Sequence, residues 1–277
     1  MCTDECLRQS TDGAGMTRRA ALAGAAAAGV LAVPGAAQAS PAASPLTRER
    51  RGLQDLTYPL SPSFPSFADG EEARRRTYVT IEDDGYYMQE WRIVEHTGTH
   101  VDAPGHFTAG GRLSTDLTLD ELIVPAVVVD IAARAAADPD AVVTVGDLRD
   151  FERRHGRIPR GAAVLMHSGW GAKVGSVQAY RGTDADGVLH FPGFSADACE
   201  WLLERRAIRS LGVDTLSIDP GVSDEFPVHV TLTGADRYGL ENLANLAAVP
   251  PRGATVVVGL IPFEQGSGGQ ARIFATW

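Results

Sequence analysis

Four side chains able to ligate a metal or move a proton crowd into one run, His96-Thr-Gly-Thr-His100-Val-Asp102-Ala-Pro-Gly-His106, in a chain that has only seven histidines. Zinc and manganese favour neutral imidazole and carboxylate, and a catalytic site uses a small ligand set while keeping a position open for water. His96, His100 and Asp102 supply such a set. A lone His-x-x-x-His is more often a pair of ordinary histidines, but the added carboxylate and third imidazole point to a metal. A metal there lowers the pKa of bound water from about 15.7 to about 7, so the chemistry implied is hydrolysis at neutral pH.

Spacing alone does not bring these donors together. Thr97, Gly98, Thr99 and Val101 all disfavour helix, the one regular structure in which positions i and i+4 converge. In a straight strand, residues 96 and 100 lie about 13 Å apart, too far to share an ion. The sequence therefore predicts a bend at Gly98, where a residue without Cβ takes backbone angles closed to others. Pro104 and Gly105 turn the chain again and bring His106 back toward the ion.

Around this run the pattern is that of one mature α/β domain with mixed strand order. A short strand over Asp55–Leu60 leads into a proline-broken loop carrying Phe64 and Phe67, and two strands are expected between Thr77 and His96, parted by Asp83-Asp84-Gly85. Ala126–Ile131 and Ala162–His167 are continuous apolar runs, the signature of strands covered on both faces. Thr144–His155 reads as a helix with a capping box to Asp147 and a stop at Gly156, and a second helix opens at Ser195. A strand follows at Ser210–Val213, and Thr255–Ile261 with Ala271–Thr276 outline a C-terminal hairpin.

Length and charge narrow the function. With 277 residues, 44% of them hydrophobic, the chain can bury a large core, and a net charge of −10 with pI about 5.1 repels phosphate backbones, so nucleic acid is not an expected partner. Arg18-Arg19, the apolar run Ala20–Val33 and Ala37-Gln38-Ala39 read as a twin-arginine-type signal over residues 1–39, with export as the expected localisation. The apolar run is too short to span a bilayer, which takes about 20 residues, so no stable membrane anchor is expected after cleavage. Met16, just before the arginines, is an alternative start. Residues 40–52 read as a flexible leader and 53–277 as the folded domain. With Cys2 and Cys6 removed, Cys199 stands alone and reads as a buried thiol in a helix.

The run His96–His106 resembles, at every fixed position, the His-x-Gly-Thr-His-x-Asp-x-Pro-x-His signature of the cyclase family, which includes bacterial kynurenine formamidases and isatin hydrolases. The likeness extends over roughly residues 53–275, through Asp55-Leu56-Thr57, Ser168-Gly169-Trp170, and Leu211-Gly212-Val213-Asp214-Thr215 with Ser217 and Asp219 beyond. It implies a swivelling β/β/α fold, a single domain with a mixed sheet or barrel-like core flanked by helices. It also implies two zinc ions, with Mn2+ the alternative: His96, His100 and Asp102 on one, and Asp102, His229 and Glu241 on the other. His106 is then the proton-transfer residue, a homodimer or higher homo-oligomer is expected, and a small molecule is the substrate.

The reaction so implied is cleavage of a small amide such as an N-formyl aryl amine. The alternative is a lactone, an ester or a cyclic amide of isatin type, and a third reading is a secreted metal-binding protein without turnover. Two features depart from the formamidase pattern: the export signal, and Phe64 and Phe67 where a tryptophan is expected against a kynurenine ring.

Overall fold

In the computed structural model of the chain, residues 52–277 are described, so the signal expected at 1–39 and nearly all of the leader lie outside the described residues. In chain order the strands are β1 (Leu53–Asp55), β2 (Arg74–Val79), β3 (Met88–Arg92), β4 (His100–Asp102), β5 (Ile123–Asp130), β6 (Val142–Val143), β7 (Ala163–His167), β8 (Gly193–Phe194), β9 (Ser210–Val213), β10 (Tyr238–Glu241), β11 (Arg252–Leu260) and β12 (Gly268–Thr276). The helices are α1 (Ile81–Asp84), α2 (Ala132–Ala137), α3 (Val145–His155), α4 (Val177–Arg181), α5 (Ala196–Arg206) and α6 (Pro227–Gly234).

Seven of the strands close on themselves in the order β12-β11-β5-β7-β9-β10-β4, because β4 pairs with both β10 and β12. Strands β5, β7, β9 and β10 run parallel to their neighbours in that series, the remaining pairs are antiparallel, and β1 adds to the outside of β12. The result is the mixed, barrel-like core flanked by helices that the sequence led us to expect.

The period of two along the strands sorts the core into two layers. Val124, Ala126 and Val128 of β5 join Ala163 and Leu165 of β7, Leu240 and Val256 in a cluster that fills the ring. Val127, Val129, Val164 and Met166 face the other way and pack against Leu148 and Phe151 of α3, Cys199 and Leu202 of α5, and Val228 and Leu232 of α6. Full burial of such a side chain contributes about 1.5–3 kcal/mol, which is why the strands covered on both faces read as unbroken apolar runs.

Local signals set the helix limits. Thr144 accepts from the Asp147 amide while Asp147 accepts back from the Thr144 amide, and α3 stops at Gly156 (φ 83°). Ser195 caps α5, and Cys199 lies buried in it as expected. Between β2 and β3 the expected turn is a single helical turn, α1: Thr80 caps it, and Glu82, Asp83 and Asp84 complement its positive N-terminal end. Among the described residues no helix is long and apolar enough to cross a membrane.

Candidate metal centre

The bend is where the sequence puts it: Gly98 has φ +81°, and the chain then enters β4 with His100, Val101 and Asp102 all buried. In the β10–β4 pair, Glu241 stands opposite His100 and Gly239 opposite Asp102. Directly opposed residues place their Cβ atoms about 4.5–5.5 Å apart on one face, so sheet register alone brings Glu241 to His100. Gly239 leaves room for the carboxylate, since a Cβ there would lie 2.8 Å from Asp102 Oδ2. His106 returns on a 3₁₀ turn, Pro104–His106, and His229 comes from α6.

The donor atoms converge. His100 Nε2 lies 3.2 Å from Asp102 Oδ1 and 3.4 Å from Glu241 Oε2, and His229 Nε2 lies 3.2 Å from Glu241 Oε1 and 3.6 Å from Asp102 Oδ2. Donors bonded at about 2.0–2.2 Å to a common ion sit at about this separation from one another. His100 Nδ1 donates to Gly98 O at 2.8 Å and His229 Nδ1 to Asp219 Oδ2 at 2.7 Å, so each ring is fixed with its Nε2 edge facing the carboxylates. Asp219, fully buried, also accepts from the amides of Val228 and His229, which locks it to the start of α6.

His96 is held differently. Its Nδ1 is 2.6 Å from Asp102 Oδ1, and its Nε2 is 2.9 Å from Ser267 Oγ, which in turn donates to Glu95. Its ring stacks on His106 at 3.8 Å between centroids. Donor atoms of His96, Asp102 and His106 lie within 4.8 Å of one another, as do those of His100, Asp102 and Glu241. All six residues named from the sequence therefore meet in one place, with Asp102 common to both groups, and His100 groups with Glu241 as well as with Asp102.

Buried charge gives the cluster its appetite for a cation. Burial disfavours charge on His100, yet the Asp102 and Glu241 carboxylates outweigh it and raise the imidazole to about 10; burial is likewise outweighed at His229 by Asp102, Asp219 and Glu241. Burial pushes His106 the other way, down to about 4. His100 Nε2 and Asp102 Oδ2 are buried without a hydrogen-bond partner, an arrangement that costs about 1–3 kcal/mol per group unless something binds there. A set of imidazole nitrogens and carboxylate oxygens with unpartnered atoms at its centre fits a borderline divalent ion such as zinc or manganese.

A pocket of about 240 Å³ opens over the cluster, lined by Phe67, Phe107 and Phe226 together with Glu71, Val94, Leu216 and Ser217. The two loop phenylalanines flagged in the sequence part company: Phe64 is buried against Tyr58 and Tyr180, whereas Phe67 faces the pocket. Phe107 lies over His229 at 4.5 Å and Phe226 stands 5.5 Å from Phe107. Sequence reasoning gave no role to Phe107, Phe226, Ser267 or Glu95, and named Asp219 only as part of a motif. Glu241 is a buried strand residue rather than a solvated helix position.

Residues 54–220 match the family model described as "Putative cyclase". The chain belongs to the cyclase family. Among curated relatives, an isatin hydrolase of Roseibium aggregatum is 33% identical over 202 residues, spanning 70% of this chain and 76% of the relative. A kynurenine formamidase of Salinibacter ruber is 32% identical across 72% of this chain and 85% of its own length. Among solved structures, isatin hydrolase A from Ralstonia solanacearum superposes with a TM-score of 0.79 at 34% identity, covering 87% of this chain and 99% of that one. The fold shared with these structures thus accounts for the ring and for the helices that flank it.

Proposed function

We propose that this cyclase-family hydrolase is metal-dependent and opens the amide bond of a small, neutral cyclic amide fused to an aromatic ring, of the isatin type. The observation that carries this reading is the pocket: three phenylalanines wall it, and among the described residues no Lys or Arg lines it. N-formylkynurenine, the N-formyl aryl amine that serves as reference for the other reading, carries an amino-acid tail whose carboxylate finds no cation there. The formamidase relative keeps an N-formyl aryl amine as the second reading, for members that lack such a tail.

When bound, one or two divalent ions supply a low-pKa water and polarise the scissile carbonyl. The chain's own residues do the rest. His100 and His229, each with its Nδ1 pinned, would hold the metal together with Asp102, which reaches both groups of donors, and His96 and Glu241 would complete the set. His106, stacked on His96 and facing the pocket, takes the nucleophile's proton and returns it to the leaving nitrogen. Phe67, Phe107 and Phe226 seat the aromatic ring and exclude water, which strengthens every electrostatic contact inside. The signal read in residues 1–39 supports an exported site of action.

Turnover of isatin, N-formylkynurenine and a simple lactone, compared before chelation, after it and on adding back Zn2+ or Mn2+, tests the reading. Isatin is expected to exceed N-formylkynurenine in kcat/KM by about tenfold or more, the scale of one unpaired charge. The reverse order overturns the cyclic-amide assignment, and full activity after chelation overturns the metal.

A further inference from the structure

Of the histidines gathered around Asp102, His96 alone lies in no strand or helix: it sits in the turn that leads from β3 into β4. The regular backbone that aims His100 from β4 and His229 from α6 is missing there, so contacts from elsewhere must orient the ring. They come from the start of β12, 171 residues further along the chain. Gln270 Nε2 lies 2.7–3.1 Å from the carbonyl oxygens of Val94, Glu95 and Thr97, which holds the turn itself. Gly268 lies so close that a Cβ on it would be 2.6 Å from His96 Cε1. Ser267 accepts from the Ala103 amide through its carbonyl at 2.9 Å, next to Asp102, and gives its own amide to Glu95 Oε2 at 2.8 Å.

Counting hydrogens then decides which way His96 is turned. A serine hydroxyl has one hydrogen to donate. Ser267 donates it to Glu95 Oε2 at 2.7 Å, which leaves only lone pairs facing His96 Nε2 at 2.9 Å. His96 therefore donates from Nε2, and Nδ1, 2.6 Å from Asp102 Oδ1, is the nitrogen turned toward the cluster. His100 and His229 are arranged the other way round, each donating from Nδ1. A carboxylate that reaches a ligand imidazole fixes its tautomer and orientation and raises its basicity. Asp219 does this for His229 directly, whereas Glu95 reaches His96 only through the Ser267 hydroxyl.

We infer that Glu95 and Ser267 are positioning residues that hold His96 in the tautomer opposite to that of His100 and His229, and thereby set how tightly the site keeps a divalent ion. This rests on the metal-dependent reading given above and assigns a role to two residues outside the donor set. The relay joins the turn before β4 to the strand that pairs with β4, so the ring is oriented by the same contact that docks the two segments.

Two measurements on the full chain test it. In zinc-loaded parent protein with isotope-labelled histidine, long-range proton–nitrogen correlation spectra are expected to place the His96 proton on Nε2 and those of His100 and His229 on Nδ1. Zinc affinity, read by competition with a chromophoric chelator, is expected to fall about 10–100-fold in Ser267→Ala and in Glu95→Ala. The double variant is expected to lose no more than the weaker-binding single one, because both residues serve one ring along one path. A proton on His96 Nδ1, parent-like affinity in either alanine variant, or additive losses overturns the relay. The spectra need only the parent, so they decide the matter even if a variant fails to fold. A parent that takes up no zinc overturns the metal-dependent reading and the relay with it, whereas a parent and a Ser267→Ala variant that bind zinc equally sink the relay alone.

Discussion

On the proposed mechanism, His106 is the residue on which chemistry divides from mere binding. It lies in the donor group of His96 and Asp102, yet His100, Asp102, His229 and Glu241 can hold an ion without it. His106→Ala is therefore expected to keep its metal, read by elemental analysis, while kcat falls about 10²-fold or more, the usual scale for losing a general acid or base. Loss of metal instead makes His106 a ligand, and unchanged turnover removes it from the mechanism. The run His96–His106 was legible because residue type and spacing carry it. His229 and Glu241 were reached only through the family resemblance, since one sits on a helix and the other on a strand far along the chain, and only tertiary packing joins them. Phe107 and Phe226 left no signal, because a phenylalanine beside a histidine reads as core as easily as it reads as the wall of a pocket.

Elements position that chemistry through backbone geometry, and Gly98 is the test case. Its φ of +81° is strained for any other residue, and a Cβ there would lie 2.9 Å from Leu60 Cδ1. Gly98→Ala is expected to cost about 1–3 kcal/mol, read as a Tm drop of several degrees, and to weaken metal retention because His96 and His100 are displaced together. An unchanged Tm and metal content would show that the bend tolerates a side chain. Strands β5 and β7 and helices α3 and α5 were readable because apolar runs and caps are local. Strands β4 and β10 were not: three or four residues containing glycine or flanked by it carry no period, and their pairing is decided by register with one another. Helix α6 was hidden by Val228, Val230, Thr231 and Thr233, residues of strand preference that tertiary contact overrides.

At the scale of the whole molecule, Glu121 ties distant segments together. It receives Arg112 and Arg209, Arg112 also engages Asp236, and the Tyr238 hydroxyl donates to the Glu121 carbonyl. The Arg112 hydrogen bonds hold its carboxyl at about 2, below its ordinary value of 4.5. Because the folded value is the lower one, this stabilisation is full above about pH 4.5 and disappears as the pH falls toward 2. Glu121→Gln is expected to lower Tm at pH 7 by several degrees, on the order of 2–3 kcal/mol, and the gap from the parent is expected to narrow between pH 4.5 and 2. A gap independent of pH across that range would assign the effect to packing.

The ring is closed by β12, the strand that comes last in chain order, and its Gly268–Gln270 segment is what zips β4 into place while neighbouring Ser267 holds His96. A chain in which Gly268–Gln270 has not yet reached β4 therefore leaves the ring open and His96 without the Ser267 hydroxyl, so the last seam of the barrel and the orientation of that imidazole are set in one event.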